Sequence, residues 1–160
     1  MVKTITVQRE GLPIDINVRG VDNESQLVHL FFDGSIDNLV ELQEKSQNFA
    51  KGFDELQVKY PNLTKTGAEV SDQEATSVAK DVIGIMQRAY DLAFGPGTYA
   101  RLRGAGAGLL GLIETYQPLL SVIQDYVNKM VQDASKRSQG EAQRIVSLQK
   151  NRQQRRNRRH

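Results

Sequence analysis

The chain has 160 residues, a length that suits a single domain with a real hydrophobic core. It contains no cysteine, which excludes disulfides, thiolate metal sites and cysteine nucleophiles. Its two histidines are His29, in an apolar run, and the terminal His160. The sequence therefore offers few residues from which a zinc site or a catalytic triad could be built. The composition therefore points away from an enzyme, and we expect neither a metal nor a cofactor.

The net charge of +2 is unevenly distributed along the chain. The last ten residues, NRQQRRNRRH, hold five arginines and no acid, while the rest of the chain has 16 basic against 19 acidic residues. The basic excess therefore belongs to a C-terminal segment and not to the body of the protein.

The sequence shows no targeting or membrane signal. The first ten residues, MVKTITVQRE, reach charged residues too soon for a secretory signal. The most apolar stretch, 104–123, is diluted by glycines and interrupted by Glu114, Gln117 and Pro118, whereas a spanning helix needs about 20 dominantly apolar residues. We therefore predict a cytoplasmic protein that does not enter a membrane.

An N-terminal part, 1–33, is predicted to be β-rich. Its β-branched residues alternate in KTITVQR and in IDINVR, which predicts a hairpin over 3–19 with a turn at 10–13. A third apolar run over 27–32 suits a strand or the start of a helix, and we favour a strand. His29 lies in this run, and we interpret it as a packed or edge-strand residue rather than a metal ligand.

A helical part of the same domain follows over 35–139. Ser35 is predicted to cap a first amphipathic helix, and Pro61 ends it because proline lacks the backbone amide and disfavours helix in the preceding residue. A capping box, Ser71-Asp72-Gln73-Glu74, opens a second helix, which Gly95-Pro96-Gly97 ends.

A third amphipathic helix is predicted over 112–131, where apolar residues recur at helical spacing. Pro118 marks either a kink in this helix or the first turn of a new one. Together these elements predict an α+β fold that is mainly α. It comprises a small N-terminal β-hairpin or meander, three or more amphipathic helices and a disordered basic C-terminal tail.

Residues 140–160 are predicted to form this Arg-rich tail, weakly helical to disordered. Its arginines would attract a polyanion such as nucleic acid through counterion release: Arg152, Arg155, Arg156, Arg158 and Arg159. Two other interpretations are a solubilising end and an arm that docks on an acidic partner surface. No aromatic residues are interleaved, so base stacking of the single-strand-binding type is not expected.

The segment GAGAGLLG, at 104–111, admits two interpretations. From Gly106 it matches the dinucleotide-binding pattern Gly-x-Gly-x-x-Gly, with Asp125 where a ribose-binding acid would lie. That pattern binds a nucleotide only between a buried parallel strand and a helix, and the preceding TYARLR suits no buried strand. We therefore favour a hinge, in which glycines permit close backbone approach or a change of conformation: Gly104, Gly106, Gly108 and Gly111.

The order of these features resembles the tail assembly chaperones of long-tailed, siphovirus-type phages of Gram-positive bacteria. The features are the β-rich start, the segment FFDGSIDNLVELQEK, a capped helix ending in AYDLAFGPGTYARLRG and a closing amphipathic helix. The resemblance covers 3–131, and its most specific part is DLAFGPGTYARLRG, at 91–104. The chain departs from the family pattern at Pro96, where an acid is usual, and at Tyr99, where phenylalanine is usual.

The resemblance implies a small, non-enzymatic helical protein that coats the phage tape-measure protein and recruits tail-tube subunits during tail assembly. Self-association is also expected. The resemblance places partner contacts at two sets of residues, for which core packing is the alternative role: Phe94, Gly95, Gly97, Thr98 and Tyr99, and Leu112, Tyr116, Leu119 and Ile123. The alternative function is that of a nucleic-acid-associated phage or regulatory protein acting through the Arg-rich tail.

Overall fold

The computed structural model describes residues 3–6 and 9–157. In these residues the fold is α+β and mainly helical, as predicted, with an antiparallel β-hairpin followed by helices. The elements are β1 (Gly11–Arg19), β2 (Ser25–Asp33), α1 (Ile36–Lys59), a 3-10 turn (Pro61–Thr64), α2 (Asp72–Phe94), α3 (Thr98–Gly104) and α4 (Leu109–Asn157). The chain divides into an N-terminal unit, Met1–Leu120, and a C-terminal unit, Ser121–His160.

The hairpin is formed by other residues than those predicted. β1 pairs with β2 in a register that runs from Gly11 opposite Asp33 to Arg19 opposite Ser25. The predicted partner strand at the N-terminus is absent from the described residues 3–6, and Val7 and Gln8 lie outside the described residues. The turn predicted at 10–13 is therefore wrong, and residues 20–24 make the turn instead.

The apolar pattern explains why β1 pairs with β2 and not with the N-terminal segment KTITVQR. Ile14 lies opposite Leu30 and Ile16 opposite Val28, so one face of the hairpin carries apolar residues from both strands. Val28, Leu30 and Phe32 are buried on that face. The segment KTITVQR offers fewer apolar side chains to such a face, and burial of apolar area is what stabilises a two-stranded sheet.

The residues predicted to begin and end α1 and α2 do so. The Ser35 hydroxyl accepts a hydrogen bond from the Asn38 amide at 3.4 Å, and the Ser71 hydroxyl accepts one from the Glu74 amide at 3.2 Å. Tyr60 is the C-cap residue of α1 and directly precedes Pro61. Local capping chemistry, which acts within one helical turn, therefore accounts for these helix ends.

The core of the N-terminal unit is built around Tyr90 of α2. Its side chain is fully buried, and its hydroxyl donates a hydrogen bond to the Leu112 carbonyl at 2.7 Å. Tyr116 packs edge-on against it, with ring centroids 5.4 Å apart. Residues of the hairpin, α2, α3 and α4 complete this cluster, among them Val18, Leu30, Met86, Leu102 and Leu119.

Two details of α3 and α4 differ from the sequence predictions. The segment after the Gly-Pro-Gly turn contains a helix of its own, α3, which was not predicted as a separate element. Pro118 lies inside the continuous α4, so of the two alternatives for this proline, the one in which it begins a new helix is wrong. The described part of the Arg-rich segment, up to Asn157, is helical throughout, whereas Arg158, Arg159 and His160 lie outside the described residues.

Candidate functional site

An open groove lies between α1 and α2 in the N-terminal unit. The two helices pack together where Leu56 and Tyr60 of α1 meet Ile85 of α2. Beyond this contact they enclose a volume of about 860 Å³, which we call the α1–α2 groove. It is lined by α1 from Asn38 to Gly52, by α2 from Gly84 onward, and by Phe31 of the hairpin.

Apolar side chains from three elements line the groove: Phe31 of β2, Phe49 of α1, and Ile85, Leu92 and Phe94 of α2. Phe49 is also part of the aromatic core, since its ring lies 5.4 Å from the Tyr116 ring. The groove is therefore backed by the packed interior of the unit, which holds its walls in place.

Gly52 of α1 and Gly84 of α2 lie on the facing walls of the groove. A Cβ atom at Gly52 would meet Ile85 Cγ1 at 3.6 Å, and one at Gly84 would meet Arg88 Nη1 at 3.9 Å. Both distances are ordinary van der Waals contacts, so neither glycine is required for the helices to pack. A larger side chain at Gly84 can therefore be introduced into the groove without a clash against the backbone.

Charges of both signs line the groove. Arg9, Lys45 and Arg88 supply positive charge, and Asp33, Glu41 and Asp91 supply negative charge.

Several of these groups already have partners. Glu41 forms an i,i+4 ion pair with Lys45, and the Arg9 guanidinium lies 4.0 Å from the centre of the Phe31 ring. The hydrogen bond from the Ser35 backbone amide holds the pKa of Asp33 below its usual value, so this carboxylate is charged at neutral pH.

The corner between α2 and α3 is held by Asp91. Its carboxylate accepts a hydrogen bond from the Tyr99 amide at 2.9 Å, in the first turn of α3. The Thr98 hydroxyl donates to the Gly95 carbonyl at 2.8 Å, and Gly97 adopts a left-handed φ of 83° that favours glycine. The sequence predictions missed Asp91, although an acid shortly before a Gly-x-Gly-Thr turn is a recognisable capping signal.

The residues predicted to contact partners fall into three locations. Phe94 and Gly95 line the α1–α2 groove, together with Pro96. Gly97 is exposed at the corner. The other predicted contact residues are buried: Thr98, Tyr99, Leu112, Tyr116, Leu119 and Ile123. A partner that touched these buried side chains would have to displace existing packing, so the accessible part of the predicted set is Phe94, Gly95 and Gly97.

The predicted hinge spans the junction of α3 and α4, from Gly104 at the end of α3 to Gly111 in the first turn of α4. Added Cβ atoms at Gly104, Gly106, Gly108 and Gly111 would meet no atom within 4 Å in the described part of the chain. Close backbone approach therefore does not explain these glycines. Gly106 has a φ of 96°, which favours glycine on conformational grounds, and the hinge remains a prediction.

The other sites proposed from sequence also have a place in the structure. The pattern at 106–111 begins in the loop between α3 and α4 and ends in the first turn of α4, without the preceding strand that a dinucleotide site requires. His29 faces solvent on β2 and contacts Asp15 at 2.6 Å across the hairpin, which confirms it as an edge-strand residue. Within residues 3–6 and 9–157, no group of three or more His, Cys, Asp or Glu side chains could hold a metal ion.

No helix in the described residues combines the length and the apolar character needed to cross a bilayer. No family model matches the chain, and no curated protein or solved structure matches it either.

Proposed function

We propose that this chain is a non-enzymatic tail assembly chaperone of a siphovirus-type phage. It binds helical segments of the tape-measure protein, recruits tail-tube subunits during tail assembly and acts in the host cytoplasm. The observation that carries the proposal is the α1–α2 groove. One end of that groove is formed by Phe94, Gly95 and Pro96, which belong to the segment that most resembles the chaperone family.

The dimensions of the groove suit a helix as ligand. Along α2 its wall extends from Gly84 to Phe94, which corresponds to ~15 Å at the helical rise per residue. An amphipathic partner helix of about three turns would fill this length and present apolar side chains to Phe31, Phe49 and Ile85. Charges of both signs at the groove favour a partner helix that is itself of mixed charge.

The acidic groups of the groove support a binding role rather than catalysis. The Asp91 carboxylate caps α3, the Asp33 carboxylate accepts from the Ser35 amide, and Glu41 is paired with Lys45. A general base needs a reacting group within hydrogen-bond reach, whereas these acids are occupied by structural contacts.

The proposal is tested with a variant that fills the groove. Gly84→Leu adds a side chain to the groove wall, and Gly140→Leu adds the same side chain at a site on α4 where a Cβ would meet no atom within 4 Å. Both changes replace glycine in a helix by a better helix former, so both are expected to fold. The tagged chains are co-expressed with the genes that neighbour their own, which the proposal expects to include those of a tape-measure protein and a tail-tube protein.

After nuclease treatment and a wash at about 0.3 M salt, where weak phosphate contacts fail, bound proteins are identified by mass spectrometry. We expect the parent and Gly140→Leu chains to retain the tape-measure protein and Gly84→Leu to lose it. Equal retention by all three chains would contradict binding in the groove. Recovery of no tail protein by the parent chain would contradict the chaperone function itself.

A further inference from the structure

Positive charge is concentrated in the C-terminal unit. Residues 121–160 hold ten of the 21 lysines and arginines of the chain but only three of its 19 acids. Glu141 is the last of these acids, and every charged residue after it is positive. The exposed face of an ordinary soluble helix carries charges of both signs, so exposure to solvent alone does not explain this separation of charge.

The described basic residues after Glu141 belong to α4: Arg144, Lys150, Arg152, Arg155 and Arg156. All described side chains from 131 to 155 are exposed, so Arg144, Lys150, Arg152 and Arg155 are accessible. From Arg144 to Arg156 the helix advances ~18 Å, a length over which a nucleic-acid duplex presents about ten phosphate charges.

The residues that surround the last four described cations, from 149 to 157, favour a nucleic acid over a protein as the ligand. From 149 to 157 the sequence is QKNRQQRRN, which contains only cationic and amide side chains. A protein interface needs apolar or aromatic anchors that exclude water at its centre, whereas the exposed apolar residues beyond Glu141, Ile145, Val146 and Leu148, all precede this stretch. Arginine, asparagine and glutamine are the side chains that bind phosphate oxygens and base edges.

We propose that the end of α4 from Arg144 to Asn157, the basic helix end, is a nucleic-acid-binding site that contacts the phosphodiester backbone. Arginine suits this role because its planar guanidinium binds two phosphate oxygens at once. The site is independent of the tape-measure function, since the α1–α2 groove lies in the other unit of the chain.

Binding to a polyanion would also relieve repulsion within the helix. Arg152 lies three and four residues before Arg155 and Arg156, and like charges at these spacings destabilise a helix. Phosphate groups that neutralise the cations remove this penalty. The proposal therefore includes a higher midpoint temperature for the loss of the helical signal, measured by circular dichroism, when a nucleic acid is added.

The direct test measures fluorescence anisotropy of labelled single-stranded DNA, duplex DNA and duplex RNA titrated with the full chain. Five phosphate contacts would weaken duplex binding on the order of 100-fold between 0.1 and 0.3 M salt. The variant Arg152→Gln/Arg155→Gln should bind roughly 10-fold or more weakly and should reduce the slope of log affinity against log salt by about 1.8. Comparison of the three affinities shows whether the site prefers single-stranded DNA, duplex DNA or duplex RNA.

The matched control is Lys129→Gln/Lys136→Gln, which removes the same charge from the same helix. These lysines follow Asp125 and Asp133 by one helical turn, outside the basic helix end, so the control should bind like the parent. An equal loss for both double variants would overturn the site, because it would reflect net charge alone. Binding that does not respond to salt would overturn it as well.

A polyglutamate peptide of equal charge separates nucleic acid from an acidic protein surface. If it binds as tightly as the nucleic acids, the assignment to nucleic acid is overturned. The groove variant Gly84→Leu should bind nucleic acid like the parent, so a failure of the chaperone function and a failure of this site give different results.

Discussion

At the scale of single residues, two tyrosines in one core differ in their hydrogen bonding. Tyr90 Oη donates to the Leu112 carbonyl, whereas Tyr99 Oη is buried without a hydrogen-bond partner among the described residues. Their rings lie 6.5 Å apart, so both side chains share one environment. Burial raises the pKa of Tyr90, which keeps its hydroxyl protonated as a donor.

This difference gives opposite expectations for the same substitution. Tyr90→Phe leaves the Leu112 carbonyl without this donor and should lower the free energy of unfolding by about 1 kcal/mol. Tyr99→Phe removes a buried hydroxyl that has no partner and should leave that free energy unchanged or raise it by up to about 1 kcal/mol. Urea unfolding of both variants checks the pair, and equal losses would contradict the assigned contacts.

A second residue-scale prediction concerns the cap of α3. Asp91→Ala removes the acceptor for the Tyr99 amide and should cost about 1 kcal/mol of unfolding free energy. Asp91→Asn keeps a side-chain oxygen at the same position and should cost less. If the two variants lose equal stability, the negative charge rather than the hydrogen bond holds the corner.

At the scale of elements, the junction between α3 and α4 depends on one backbone conformation. Gly106 has a φ of 96°, whereas Gly108 does not have a left-handed φ and an added Cβ there would meet no atom within 4 Å. Gly106→Ala should therefore lower the free energy of unfolding by about 1 kcal/mol, while Gly108→Ala should be neutral. Thermal unfolding of the two single variants distinguishes them. A neutral Gly106→Ala would mean that the junction readily adopts another conformation, as a hinge would.

Elements with local signals could be predicted from the sequence, and elements that depend on distant partners could not. Ser35, Pro61 and Ser71 fixed the ends of α1 and α2 because capping and proline act within one helical turn. The predicted partner of β1 was wrong because KTITVQR and the run at 27–32 are both compatible with a strand. Only the second run is buried against α2 and α3, and that burial decides which one pairs with β1. Strand preference of this kind depends on context.

The candidate site was only partly predictable for the same reason. Phe94 and Gly95 were identified through the resemblance, but Phe31, Phe49 and Ile85 join them only after α1 has packed on α2. Helical periodicity shows that α1 has an apolar face, yet it does not show which part of that face another helix leaves uncovered. Thr98 and Tyr99 belong to the same motif as Phe94 and Gly95, but their side chains are buried.

At the scale of the whole molecule, the two proposed activities belong to units of opposite charge. Residues 1–120 hold 16 of the 19 acids and 11 of the 21 basic residues, so this unit is net acidic, and 121–160 is net basic. Partner helices bound through apolar contacts in the groove should be insensitive to salt, whereas a polyanion on the basic helix end should be released by it. Ionic strength alone therefore separates the two kinds of complex.

The corner between α2 and α3 has a consequence for how such a protein changes over evolution. The Thr98 hydroxyl and the Tyr99 backbone amide serve the fold, so substitutions that remove that hydroxyl or displace that amide would be selected against whatever the partner is. Pro96 is exposed on the groove, and it is one of the two positions, with Tyr99, at which this chain departs from the family pattern that it resembles. Under the proposed function, a lineage that acquired a different tape-measure protein would adapt first at Pro96 and the nearby Phe94, while the Asp91–Tyr99 hydrogen bond remained unchanged.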